Sequence, residues 1–373
     1  MLLIIRKYSS ALLYLPFILF IALVGILSAA TPSGAPPALR ISSEITLPTP
    51  ALERARDVRW AGDNSVYLGL GIDGAVEVKL DPAHLAPREM IQGSSKPGGF
   101  WGVERIAASS MFFVAAGPAL SLTWRRLDDP ARVEHAFEGI QAIDVRGNRL
   151  AILGVMRDEQ REVGKDGAIA WAGSLDKNLE DLRPFLYDIS GRGARAMGRC
   201  ILNYVGAVRF LKDGGLAVLP GVQPGVHLYD PEGRLVRTWD TASLGIDADC
   251  GSLSEEQYVR LMGRSAERQA WVNRRQTVDT LLPLDQGLGV VVRRVQSGRT
   301  RWGLKLLRRD GSSATYAIPI EGSNEFFHLK GDARSGRVVF LLYREKSGDS
   351  IEKNPAPPRI FVAQLPADQG WVP

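Results

Sequence analysis

The sequence predicts an all-β chain folded as a ring of six four-stranded modules, and three observations carry that reading. The first is a single stretch, Gly206 to Asp240, that reads as four short strands in succession. These are AVRFL, LAVLP, VHLYD and RLVRTW, separated by KDGG, GVQPG and PEG. Strand-type residues alternate with polar ones, and each break carries Gly, Pro or Asp, which supply a positive φ or fix a turn. A four-stranded antiparallel meander of this length is one blade of a β-propeller. The second is recurrence: a turn followed by a continuous apolar strand appears again at Gly62–Leu70, Ser109–Gly117, Arg146–Gly154, Asp285–Arg294 and Arg334–Arg344. The third concerns the two ends. An orphan strand-like run at Ala38–Pro50 has no partner beside it, while the last module ends at Arg359–Pro366 without its outermost strand.

Taken in order, residues 1–30 read as a targeting segment. Arg6 and Lys7 precede the apolar core Ala11–Leu27, and Ser28-Ala29-Ala30 offers small residues for cleavage. Cleavage after Ala30 makes this a signal peptide; left uncleaved, it is an N-terminal anchor. Both readings export the globular part, to the periplasm or the extracellular space, and the only membrane contact expected is through this segment. Residues 31–37, TPSGAPP, are a flexible linker. The propeller is expected over 38–366 and a short tail over 367–373.

Within the propeller each apolar strand is preceded by a short one: RDVRW, VERIAA, QAIDV, AVRFL, TVDTLLPL and FFHLK. Most are followed by a further hairpin half, such as AVEVKLD, ALSLTWRRL and AIAWAG. Unequal spacing between modules reflects inserted loops. The orphan N-terminal strand is expected to complete the last blade, which closes the ring and leaves no open edge.

Sorting the loops by strand order separates two faces. The turns between first and second strands are short. The long connections, Met90–Val103, Met156–Gly167, Ser190–Tyr204, Thr241–Thr277 and Arg344–Pro358, all fall on the opposite side. Binding groups concentrate on such loops, so this decorated face around the channel mouth is the expected working face. The largest insertion, about 252–275, carries a helix: Ser254-Glu255-Glu256-Gln257 fits a capping box, and Tyr258, Leu261 and Met262 make an apolar stripe. It is expected to cover the top of the ring, with partner docking as the alternative.

The stretch Gly225–Asp240, GVHLYDPEGRLVRTWD, resembles an NHL-type repeat, in which a hydrophobic strand, D-x-x-G and a hydrophobic-basic strand follow one another. Leu304–Pro319 is a looser copy. The chain thus resembles six-bladed NHL-like propellers of exported bacterial type. That resemblance admits ligand-binding modules, protein-interaction modules, lyases and calcium-dependent lactonases, and does not choose among them.

Composition and motifs narrow the chemistry. The formal charge is +5, and no Lys/Arg run exceeds two residues, so nucleic acid is not an expected partner. The two cysteines, Cys200 and Cys250, flank the best-defined blade, and in an exported chain they are expected to form a disulfide. The four histidines show no zinc spacing. Asp57, Glu104, Asp144 and Asp279 lie on inner strands and could hold calcium through oxygen ligands. Arginines beside them offer the competing outcome, charge-paired networks. There is no G-x-S-x-G elbow, no P-loop and no G-x-G-x-x-G opening a helix, since Gly69-Leu70-Gly71 reads as a blade turn; no catalytic residue is assigned. Arg59, Arg105 and Arg209 recur seven residues before the next apolar strand, which suggests guanidinium groups ringing the channel. With Trp101, Asn203, Tyr204, Arg293, Arg294, His328 and Arg344 they form the expected ligand site. The expectation is a monomeric, non-enzymatic binding module for a protein or a small anionic ligand, without cofactor; a calcium-dependent lactonase- or lyase-like hydrolase is the alternative.

Overall fold

The computed structural model describes residues 35–92 except 49, 51, 72, 82–84 and 86, then 105–117, 121–129, 132–136, 140–154, 168–187, 206–220, 225–246, 254–263, 267, 271, 275–285, 287–308, 310–344 and 356–366. Its secondary structure is overwhelmingly β, arranged as six four-stranded antiparallel sheets.

Five sheets use consecutive strands. They are β2–β5 (Asp57–Trp60, Ser65–Gly69, Gly74–Lys79, Arg88–Gln92) and β6–β9 (Arg105–Ala108, Phe112–Ala116, Ser121–Arg126, Arg132–Ala136). Next come β10–β13 (Ile140–Arg146, Arg149–Gly154, Ala168–Ser174, Arg183–Tyr187) and β14–β17 (Ala207–Phe210, Leu216–Leu219, Val226–Tyr229, Leu235–Trp239). The fifth is β18–β21 (Thr277–Leu284, Gly287–Gln296, Arg299–Arg308, Ser313–Gly322). The sixth sheet combines β22 (Phe327–Arg334), β23 (Arg337–Arg344) and β24 (Arg359–Gln364) with β1 (Arg40–Thr46), which pairs antiparallel with β24 from Arg40↔Gln364 to Thr46↔Arg359.

The first strands of the first five sheets pack on one another in sequence, β2 on β6 on β10 on β14 on β18; β18 packs on β22, and β22 on β2. The molecule is therefore a six-bladed β-propeller with these strands around the channel. Its apolar core lies between blades rather than at the centre. One cluster joins Val58, Trp60 and Leu68 of blade one to Leu341 and Ile360 of blade six; another joins Ala107 and Val114 of blade two to Ile143 and Ile152 of blade three. Each buried Val, Leu, Ile or Phe there contributes roughly 1.5–3 kcal/mol. The second strands read as unbroken apolar runs because both faces of a blade are covered by neighbours: β7 and β11 are buried along nearly their whole length.

Helices are few. α1 (Thr241–Leu244) is capped by the Asp240 carboxylate, which accepts from the Ser243 N–H at 2.6 Å. α2 (Glu255–Gly263) starts from a reciprocal pair: Ser254 Oγ accepts from the Gln257 N–H at 3.1 Å, and Gln257 Oε1 accepts from the Ser254 N–H at 3.0 Å. Among the described residues no helix is long and apolar enough to cross a membrane.

Candidate functional site

The channel wall is assembled by charged side chains at the blade joints. Asp57 Oδ2 of blade one accepts from the Ile106 N–H of blade two at 3.0 Å. Asp144 Oδ2 of blade three accepts from the Phe210 N–H of blade four at 2.7 Å. Asp279 Oδ2 of blade five accepts from the Leu329 N–H of blade six at 2.9 Å, and Asp332 Oδ2 of blade six from the Trp60 N–H of blade one at 3.0 Å. At the two remaining joints the polarity reverses. Arg105 Nε donates to Gln141 O at 3.0 Å, and Arg209 Nε to Leu281 O at 2.9 Å. Each joint thus satisfies a backbone group that would otherwise be buried unpaired.

These contacts also fix the charges. Arg209 is fully committed: besides Leu281 O, it reaches Asp144 Oδ1 at 3.3 Å and, across the channel, Gly331 O at 3.1 Å. Burial holds the Asp144 carboxyl above its ordinary range, against the pull of Arg209 and Arg59. Burial also pushes the Asp279 carboxyl up, but His328 beside it, with Arg293 and Lys330, outweighs this and leaves it at about 2. Asp279 additionally accepts from Trp302 Nε1 at 2.6 Å and meets His328 Nδ1 at 3.2 Å.

Arg59 differs. It is 8% exposed, and its Nη1 donates to Asp57 Oδ1 at 2.9 Å and to Val58 O at 2.8 Å. Its buried Nε has no acceptor among the described residues. Burial pulls its guanidinium below the ordinary value, and the positive charge of Arg209 acts in the same direction.

Two cavities share Arg59. A chamber of about 560 Å³ draws on all six blades, with Arg59, Arg146, Lys212 and Arg334 set against Asp144, Asp285 and Asp332. Lys212 is paired with Asp285 at 2.9 Å, and Arg146 donates to Leu211 O. Toward the other end lies a throat of about 30 Å³, lined by Arg59, Arg105, Arg209 and Lys330 against Asp57 and Asp279. The chamber sits at the short turns between first and second strands. The long loops of the decorated face, including 93–104, 155–167, 188–205, 247–253 and 345–355, lie outside the described residues.

The structure therefore brings together Arg59, Arg105 and Arg209, with Asp57 and Asp279, in the throat, and places Asp144 in the chamber wall. It does not bring the other described candidates there. Arg293 donates Nε to Phe327 O at 3.1 Å, joining blades five and six. Arg294 is exposed on β19, His328 is held against Asp279 and stacked on Tyr343, and Arg344 lies 5.6 Å from the Phe326 ring. Trp101, Asn203, Tyr204, Glu104, Cys200 and Cys250 lie outside the described residues. Among the described residues there is no group of three His, Cys, Asp or Glu placed to hold a metal. Lys330, Asp332, Lys212 and Arg334 were missed by sequence reasoning. The available signal was position: Lys330 and Asp332 belong to β22, the inner strand equivalent to the Asp57–Arg59 strand.

No family profile matches the sequence, and no curated protein is similar to it. Solved structures share the fold. The WD40 repeats of RRP9 superpose with a TM-score of 0.51 at 10% identity, covering 88% of this chain and 99% of that one. A member of the DUF4221 family from Bacteroides vulgatus gives 0.51 at 7% identity, covering 87% and 97%. Virginiamycin B lyase from Staphylococcus aureus gives 0.42 at 10% identity, covering 87% and 99%. For the first two the likeness is one of β-propeller architecture.

Proposed function

We propose that this propeller is a non-catalytic binding module whose central channel holds a small anionic ligand. The observation that carries the reading is Arg59: a buried cation whose Nε has no acceptor among the described residues, lining a chamber of about 560 Å³. That volume suits a metabolite-sized ligand. A carboxylate or phosphate there would accept from Arg59, offset its desolvation and meet Arg334 and Arg146 at the rim. In the same reading the chain is exported through residues 1–30, and β1 completes the last blade and closes the ring around the ligand.

Titration calorimetry with citrate, inorganic phosphate and neutral glucose tests this. Citrate or phosphate should bind, glucose should not, and added salt should weaken the binding. Arg334→Gln, an exposed position, should weaken it several-fold with unchanged thermal stability, and a chelator should leave it intact. No binding by either anion would overturn the reading, whereas binding lost on chelation would transfer it to a calcium site.

A further inference from the structure

Most of the charges around the chamber are already used by the fold. Lys212 is paired with Asp285, and Asp144 with Arg209. Arg146 donates to Leu211 O. Arg59 Nη1 is committed to Asp57 Oδ1 and Val58 O, but its Nε has no acceptor among the described residues. Asp332 gives Oδ2 to the Trp60 N–H and its main-chain oxygen to the Trp60 indole, while its Oδ1 meets no donor or cation among the described residues. Arg334, exposed at the rim, carries no ion pair among them either. Two guanidinium groups and one carboxylate oxygen thus remain uncommitted.

The carboxylate matters because of where it sits. Asp332 is half-buried and lies within electrostatic reach of both Arg59 and Asp144. A simple anion docked on Arg59 would face a carboxylate that has no counter-ion, and the repulsion would offset part of the gain. A ligand that brings its own cation turns this repulsion into a second charge-assisted hydrogen bond. Spacing narrows the ligand further. Asp332 and Arg334 are alternate residues of β22, so they share one face of the strand with Cα atoms about 7 Å apart. An ammonium and a carboxylate joined by a short methylene chain suit two side chains so placed. Phe210, Leu211, Pro283 and Leu284 offer the methylenes an apolar wall.

We propose that the channel ligand is an acidic α-amino acid, with its ammonium on Asp332 Oδ1, its α-carboxylate on Arg59 and its side-chain carboxylate on Arg334. The match is one of number and sign: two anionic groups for two uncommitted guanidinium groups, and one cation for one uncommitted carboxylate oxygen. This assignment rests on the anion reading of the chamber and adds to it a requirement for an amine.

Titration calorimetry of the full-length protein at neutral pH, with glutamate and glutarate, tests this, because the two probes share a carbon skeleton and differ in the amine. Glutarate carries the larger negative charge, so a chamber that reads only anionic charge prefers it. The expected result is the reverse order, with glutamate binding about tenfold more tightly. N-acetylglutamate, whose amine is blocked, should bind no better than glutarate. Asp332→Asn, which keeps an acceptor for the Trp60 N–H, should restore the preference for glutarate. Glutarate binding as tightly as glutamate, or a glutamate preference that survives in Asp332→Asn, overturns the proposal. In either case binding of citrate or phosphate leaves the anion chamber standing. If no anion binds, glutamate included, the chamber reading falls and the amino-acid assignment with it. The wild-type comparison decides the matter even if Asp332→Asn fails to fold.

Discussion

At the scale of single residues, the channel charges act as joints between blades. An inner-strand aspartate is useful there because its two oxygens can serve two tasks, one on the next blade's N–H and one on a cation. Asp144 does both, holding Phe210 N–H and the buried Arg209 guanidinium. Asn at this position keeps an acceptor for the amide but strands the Arg209 charge in a low-dielectric site. Asp144→Asn should therefore lower stability by about 3–5 kcal/mol in urea unfolding. Asp128→Asn, which breaks only the surface pair with Arg126, should leave the midpoint unchanged. Equal effects from the two would mean that the channel pairs are as solvated as surface ones. Charged inner strands were legible in the sequence, as were the two possible outcomes for Asp57, Asp144 and Asp279. Which partner each carboxylate meets was not, because the partners lie on the next blade, such as Asp57 and Ile106 or Asp279 and Leu329, about fifty residues away in sequence. Lys330 was hidden for a similar reason: FFHLK reads as the short strand before the last apolar run, and the throat that Lys330 lines is completed by residues of other blades.

At the scale of elements, turn chemistry explains why the clearest blade was clear. In the Asp230–Arg234 turn, Asp230 O accepts from the Gly233 N–H at 3.0 Å, Asp230 Oδ1 accepts from the Arg234 N–H at 2.8 Å, and Gly233 takes φ +83°. The D-x-x-G pattern is thus a backbone requirement. Gly225 faces a different constraint at the start of β16: its φ is +97°, and an added Cβ would lie 2.1 Å from Trp239 O of the paired strand. The two glycines should respond differently to alanine. Gly233→Ala meets open space and incurs only the left-handed backbone cost, about 1–2 kcal/mol. Gly225→Ala adds a clash with a ladder carbonyl and should cost roughly 2–5 kcal/mol, with faster amide exchange along β17. If the exchange of β17 is unchanged, the close approach is not a constraint on pairing. The outer strands β5, β9 and β13 were the least legible elements. An outermost strand has one neighbour and one open edge, so its apolar pattern is short: REMIQ and RVEHA could equally be loop.

At the scale of the whole molecule, the ring stands or falls at the meeting of its first and last blades. Two independent sets of contacts lie there. On the inside, the Trp60 N–H and indole donate to Asp332 Oδ2 and O at 3.0 and 3.1 Å. On the outside, β1 runs along β24, with Ile45 and Leu47 buried in the same cluster as Leu341 and Ile360. The inner contacts hold blade one to blade six through side chains, whereas the outer ones pair β1 with β24 through the backbone. A chain starting at residue 49 keeps the first set and loses the second. It gives up the burial of Leu39, Ile45 and Leu47, on the order of 5 kcal/mol, and leaves the backbone groups of β24 without their ladder. The truncated protein should unfold at a lower temperature and self-associate through the exposed edge of β24 in sedimentation velocity. Its first amides to lose exchange protection should be those of Arg359–Gln364, ahead of the inner strands. If the truncated chain instead matches the full chain in melting temperature and stays monomeric, the inner Trp60–Asp332 contacts alone hold the ring. The β1 ladder would then be an ornament on a propeller already closed from within.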